Sequence, residues 1–210
     1  MDKNLVSQFA STFKVDEISS LYCVFKSYLP STLPITPSTI QQYYLDKIPF
    51  KSLLMTHFGF VDTLILDRIF KYFDSNNDNK VQFNEFVSGM VILSSQDVKQ
   101  QSAFSFYIYD LNGDKYITKE EMMQLLNRQE EEDEINRELI EIALRKMDED
   151  KDGRVSELDW MQSTFKEPLL LQAFGKCLPS HSDLLKVLSF PMDDWMGKIT
   201  GLVEAIESKS

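Results

Sequence analysis

Apolar residues along this chain recur every three or four positions, and the recurrences bracket short polar stretches. Leu66, Ile69, Phe70 and Phe73 share one helical face before a polar run, and Phe86 and Met90 resume the pattern after it. Ile140, Ala143, Leu144 and Met147 do the same before a later run, with Trp160 beyond it. Between the two, Met122, Leu125 and Leu126 follow a polar run that opens at Asp110. Upstream, Val15 to Tyr28 and Phe50 to Phe58 carry helical periodicity. They flank YLPSTLPITPST, which is rich in Pro, Ser and Thr and has no acidic residue. After Pro191, Trp195, Ile199, Leu202, Val203 and Ile206 form an amphipathic stripe, and Asp193 or Asp194 is placed to cap its start. The pattern predicts an all-α chain of helix–loop–helix units.

The polar runs have a chemistry of their own. In DLNGDKYITKEE, oxygen-bearing side chains stand at positions 1, 3, 5 and 12: Asp110, Asn112, Asp114 and Glu121. Position 7 offers the backbone carbonyl of Tyr116, and Thr118 at position 9 can act through a water. This is the spacing of an EF-hand loop, in which carboxylates that repel one another when empty enclose a hard cation with six to eight oxygens. The run DSNNDNKVQFNE repeats it with Asp74, Asn76, Asp78, the Lys80 carbonyl and Glu85. DEDKDGRVSELD does so with Asp148, Asp150, Asp152, the Arg154 carbonyl and Asp159. The three runs start 36 and then 38 residues apart, one unit per repeat. Position 8 is aliphatic each time (Val81, Ile117, Val155), as a short antiparallel bridge between paired loops requires.

The loops are not equivalent. The bend at position 6 favours Gly because φ is positive there. Only Gly153 complies; Asn79 tolerates the left-handed region, and Lys115 costs about 1 kcal/mol. Asp159 is one methylene shorter than Glu85 or Glu121, so it suits a six-coordinate shell, meaning Mg2+ or weak Ca2+. The expected order for Ca2+ puts the 110–121 loop first and the 74–85 loop second. EF-hands pair, so three visible loops predict a fourth, degenerate one. The expected layout is an N-lobe over 1–94, with the degenerate hand about 15–58 and the second about 62–92. A C-lobe over 98–177 follows, with hands about 100–127 and 137–166, and then a 178–210 extension with its amphipathic helix. SSQDVKQQ joins the lobes.

Composition narrows the function. The chain has 210 residues, 43% of them apolar, and a formal charge of −11. From Asp110 to Asp159, 17 acidic residues stand against 8 basic ones, so −9 of that charge lies in about a quarter of the chain. Such a surface repels nucleic acid. Two cysteines and two histidines make neither a disulfide framework nor a zinc site. The N-terminus reads as no signal peptide, no apolar run reaches membrane-spanning length, and Asp2 excludes N-myristoylation, so a cytoplasmic protein without a membrane anchor is expected. Ion ligation accounts for the paired carboxylates, and GxSxG, P-loop and HExxH motifs are absent, so no enzyme is expected. Met90, Met122, Met123, Met147 and Met161 can line a groove that opens with calcium, or can be ordinary core. The tail can plug a groove, dock a partner or complete the core. Gln129–Glu134 reads as a solvated linker, Cys177 as a buried hydrophobe and His57 as a helix residue with a satisfied ring.

Three stretches carry a resemblance: HFGFVDTLILDRIFKYFD (57–74), YDLNGDKYITKEEM (109–122) and EPLLLQAFGKCLPS (167–180). The last lies outside any generic EF-hand pattern, and the acidic insert NRQEEEDEINRE adds to it. The chain resembles the neuronal calcium sensor and calcineurin B-like group, and within it the axonemal calcium sensors of motile cilia. That resemblance implies a calcium sensor in the axoneme of a cilium or flagellum. Its partners would be dynein heavy chain or the outer-arm docking complex and the microtubule doublet. The expected mechanism has Glu121 and Glu85 swing in as last ligands, draw their exit helices and bare a Met- and Phe-lined face. A calcium buffer, a constitutive docking-complex subunit and a calcineurin B-like regulatory subunit are the rival readings.

Overall fold

A computed structural model describes residues 9, 11–30, 39–126 and 133–191. Its order is helix α1 (Val15–Ser27), a 3-10 turn (Ile40–Gln42), strand β1 (Tyr44–Leu45) and helices α2 (Lys47–Phe58) and α3 (Thr63–Phe73). Strand β2 (Val81–Gln82) and helices α4 (Phe83–Ser94) and α5 (Val98–Tyr109) follow, then β3 (Tyr116–Ile117) and α6 (Lys119–Leu126). The chain continues with α7 (Asp133–Met147), β4 (Val155–Ser156), α8 (Glu157–Lys166), a 3-10 turn (Pro168–Gln172) and α9 (His181–Leu188). The helices start and stop where side chains satisfy their orphan backbone groups. Asp97 accepts the Lys99 N–H at 3.0 Å, and Ser180 and Ser156 accept the N–H groups of Asp183 and Asp159. Gly59, at φ 64°, closes α2 in the left-handed conformation that a Cβ would strain.

Two compact units result. The first holds residues up to Gly59, Phe70–Ser94 and the described part of the segment from Pro179; the second holds Phe60–Ile69 and Ser95–Leu178. The division departs from a cut at residues 94–98 in two places. The start of α3 goes with the second unit, where Arg68 is bonded, and α9 packs on α1 and α2 of the first.

The first unit is built on phenylalanine. Phe25 meets Phe83 and Phe86 at 5.4 Å, and Phe50 meets Phe73 at 5.0 Å and Phe70 at 5.5 Å, all fully or nearly fully buried. The Phe25–Phe86 pair is tilted and the other three meet edge-on, a geometry that adds about 0.5–1.5 kcal/mol per pair beyond the burial itself. The second unit centres on Trp160, whose indole N–H donates to the Ser102 carbonyl and to Ser105 Oγ, both at 3.1 Å. Tyr109 and Phe174 close around it at 5.5 and 6.0 Å. Met90, Met122 and Met147 are core in this structure, whereas Met161 lines a cavity of about 450 Å³ with Leu158 and Tyr116.

Among the described residues, each unit contains one two-stranded antiparallel bridge. β3 pairs with β4 through Tyr116↔Ser156 and Ile117↔Val155. β2 pairs with β1 through Tyr44↔Gln82 and Leu45↔Val81. The strand opposite Val81 therefore lies beyond YLPSTLPITPST, next to α2, because a bridge needs only an apolar residue to bury and no ligands. Part of that Pro-rich stretch, the first half of the acidic insert and the Trp195–Ile206 stripe lie outside the described residues. Asp133 and Glu134, read as linker, begin α7. His57 lies on α2 between the rings of Tyr28 and Phe190, at 5.9 and 5.8 Å. Burial lowers its pKa. No helix among the described residues is long and apolar enough to cross a membrane.

Candidate metal centre

The three loops fold as one device with one variation. In each, the first Asp turns back onto the loop. Asp74 accepts the N–H groups of Asp78 and Asn79 at 3.0 and 2.8 Å. Asp110 accepts those of Gly113, Asp114 and Lys115 at 2.7, 3.2 and 3.0 Å. Asp148 accepts those of Asp152 and Gly153 at 3.2 and 2.9 Å. The side chains at positions 3 and 5 accept from the backbone two residues on: Asn76 from Asp78, Asp78 from Lys80, Asn112 from Asp114, Asp114 from Tyr116, Asp150 from Asp152 and Asp152 from Arg154. These bonds coil each run so that its oxygens converge. In the last loop one oxygen each from Asp148, Asp150 and Asp152 fall within 4.8 Å of one another. The bend takes positive φ in all three, at Asn79 (63°), Lys115 (71°) and Gly153 (90°).

Position 12 varies. Glu85 spans its loop: Oε1 accepts from Ser75 N–H and Oγ at 3.1 and 2.8 Å, and Oε2 accepts the Gln82 N–H at 2.9 Å. Glu121 repeats this with the Asn112 N–H at 3.1 Å and the Thr118 N–H at 2.9 Å. Asp159 reaches one side only. Its Oδ2 takes both the N–H and the hydroxyl of Ser156, at 3.1 and 2.6 Å. All three carboxylates are buried on the first turn of the helix that leaves the loop.

The donor chemistry fits a hard divalent cation. Every candidate ligand is oxygen and most are anionic, which suits Ca2+ or Mg2+ and not thiophilic metals. The electrostatics agree. The Asp152 N–H bonded to Asp150 favours its charged form. Desolvation and the neighbouring carboxylates of Asp152, Asp148 and Asp159 outweigh that bond and hold its pKa above the usual value.

The EF-hand domain pair pattern matches residues 51–93 and 99–163, one pair on each side of Ser94. Calaxin of Xenopus laevis is 35% identical over 187 residues, which is 86% of this chain and 88% of that protein. The chain belongs to the calaxin family. Calaxin of Danio rerio is 34% identical over 199 residues, 88% of this chain and 93% of that protein. The calcium-binding protein NCSA of Dictyostelium discoideum is 32% identical over 119 residues, 57% of this chain and 58% of that one. As a calaxin-family chain with two EF-hand pairs, it is an all-α calcium-binding protein of the sensor class.

Some contributors carry no signal in the ligand spacing. Ser75, at position 2, supplies both a hydroxyl and an N–H to Glu85. Arg68 is 8% exposed; its guanidinium donates to the carbonyls of Tyr107 and Leu111 and lies 4.5 Å from the Tyr107 ring. It therefore grips the backbone on both sides of Asp110, the first residue of the 110–121 loop.

Proposed function

We propose that this chain senses calcium through its EF-hand loops and passes the change to outer-arm dynein or its docking complex on the microtubule doublet of a cilium or flagellum. The proposed ligands are Asp74, Asn76, Asp78, the Lys80 carbonyl and Glu85; Asp110, Asn112, Asp114, the Tyr116 carbonyl and Glu121; and Asp148, Asp150, Asp152, the Arg154 carbonyl and Asp159. Mg2+ is the alternative occupant of the last loop.

The observation that carries the reading is the double attachment of Glu121. Its carboxylate joins position 3 (Asn112) to position 9 (Thr118) from the first turn of α6. Bound calcium would supply the charge that offsets the clustered carboxylates. Glu121 and Glu85 then decide how loop order reaches the exit helices, because each side chain is rooted in its helix and grips the far end of its loop. Exchanging those backbone bonds for other partners shifts α6 or α4 against the incoming helix. Exposed apolar residues on the second unit (Leu139, Ile142, Leu158, Phe165 and Leu169) support a protein partner.

The test pairs calorimetry with binding. Calcium titrations in about millimolar Mg2+ would compare wild type with Glu121→Gln, which keeps size but drops charge. Loss of the strongest site is expected. Sedimentation with outer-arm-bearing doublets, with calcium or a chelator, should show calcium-dependent binding that Glu121→Gln abolishes. Equal binding in chelator would favour a constitutive docking subunit, and no calcium uptake would sink the sensor reading.

A further inference from the structure

Side chains at position 7 of an EF-hand loop are usually free, since only the carbonyl of that residue is a ligand. Here they are engaged across the bridge. The Arg154 guanidinium lies 3.9 Å from the centroid of the Tyr116 ring. Both are at position 7 of their own loops, one on each side of the Ile117↔Val155 pair. The Arg154 Nε–H also donates to Asp152 Oδ2 at 3.1 Å. The first unit repeats the contact, with Lys80 Nζ 4.0 Å from the Tyr44 ring across the Leu45↔Val81 pair. Tyr44 belongs to a strand with no ligand set, so Lys80 steadies a single loop. Arg154 and Tyr116 each belong to a loop with its own ligands.

We propose that Tyr116 and Arg154 are positioning residues whose stacked side chains couple calcium uptake by the 110–121 and 148–159 loops. The proposal rests on the assignment of those loops as calcium sites. The same two residues offer the position-7 carbonyls, so the contact ties together two backbone segments that must both be ordered for uptake. Ordering one loop lowers the conformational entropy left to lose in the other. Charge acts in the opposite direction. Arg154 is a cation beside two cation sites, and removing it relieves repulsion in both loops. The clean perturbation is therefore on the ring, which leaves the charge in place.

The experiment is a calcium titration by calorimetry on the full chain, in wild type, Tyr116→Phe and Tyr116→Leu. Each would be measured with the last loop intact and with it silenced by Asp148→Asn/Asp152→Asn. In wild type and Tyr116→Phe, silencing should weaken uptake at the 110–121 loop about two- to five-fold, the range of an exposed cation–π contact. In Tyr116→Leu that dependence should fall to what the Ile117↔Val155 bridge alone carries, well below the wild-type value. Tyr116 is only partly buried, and Arg154→Gln, which should reduce the dependence likewise, provides a second variant should Leu disturb the fold. Full coupling in Tyr116→Leu, or two independent sites in wild type, would overturn the proposal and leave the calcium assignment standing. No calcium uptake by wild type would overturn both.

Discussion

Asp159→Glu should convert the last loop into a better calcium site. In the wild type, Asp159 spends one oxygen on Ser156 and makes no bond to the start of its loop. Glu121 makes both attachments from the same helical position. One added methylene lets a second carboxylate oxygen reach into the loop, which favours calcium's larger, bidentate shell over six-coordinate magnesium. A charge-assisted contact contributes about 1.5–3 kcal/mol. Ordering one more torsion and fitting a methylene at a buried position cost about 0.5–1.5 kcal/mol. The difference, about 1–2 kcal/mol, is roughly a 5- to 30-fold gain in calcium affinity. The Ser156 cap survives, because Glu at this position completes the same capping box. Calorimetric calcium titrations in about millimolar Mg2+ would measure it. Unchanged or weaker uptake at this loop, with the thermal melt intact, would refute the reasoning that side-chain reach sets its rank.

Three other expectations follow from the packing. A Cβ at Gly89 would stand 2.3–2.5 Å from the Phe73 ring, so Gly89→Ala should destabilise by about 1–2 kcal/mol, overpacking exceeding the gain in helix propensity; an unshifted urea midpoint would contradict this. Arg68→Met removes the bonds to the Tyr107 and Leu111 carbonyls and should cost about 1–2 kcal/mol while weakening uptake at the 110–121 loop, measured by denaturation and calorimetry together. Burial pushes the Cys177 thiol up to about 12, so the unfolded chain loses this proton first as pH rises. The thiol's contribution is full below about pH 8.5 and declines from there toward pH 12. Wild type should therefore lose stability from pH 8.5 to 10.5 more steeply than Cys177→Ala, and parallel curves would show that this thiol is not the group responsible.

The three coiled loops were legible because an EF-hand loop dictates both residue type and spacing. Asp110, Asn112, Asp114 and Glu121 stand where oxygens are needed whatever surrounds them, and Ile117 and Val155 stand where the bridge must be buried. Elements answering to backbone alone were not legible. Tyr44–Leu45 pairs with Val81–Gln82 through main-chain bonds, and nothing in a loop stripped of ligands announces its register. Arg68 satisfies carbonyls, which every residue possesses, so its partners leave no trace in sequence. α9 is only eight residues long, too short for its stripe of Leu184 and Val187 to stand out beside the longer amphipathic pattern after Pro191.

The two bridges give the two units different responses. In the first, the 74–85 loop pairs with a strand that has no ligands of its own. Val81 is held against Leu45 and Lys80 against Tyr44, so that loop works against a strand without a ligand pattern, and its expected response is a stiffening of Glu85 on α4. In the second unit both sides of the bridge carry a proposed ligand set, and the paired Ile117 and Val155 tie a move in one loop to a move in the other. A change at Glu121 therefore reaches α6 directly and α8 through the bridge, where Asp159 sits on the first turn. The larger calcium response is therefore expected in the unit with two proposed ligand sets. Hydrogen exchange with and without calcium would test this: protection should change more across α6 and α8 than across α4, and the reverse order would place the switch in the first unit.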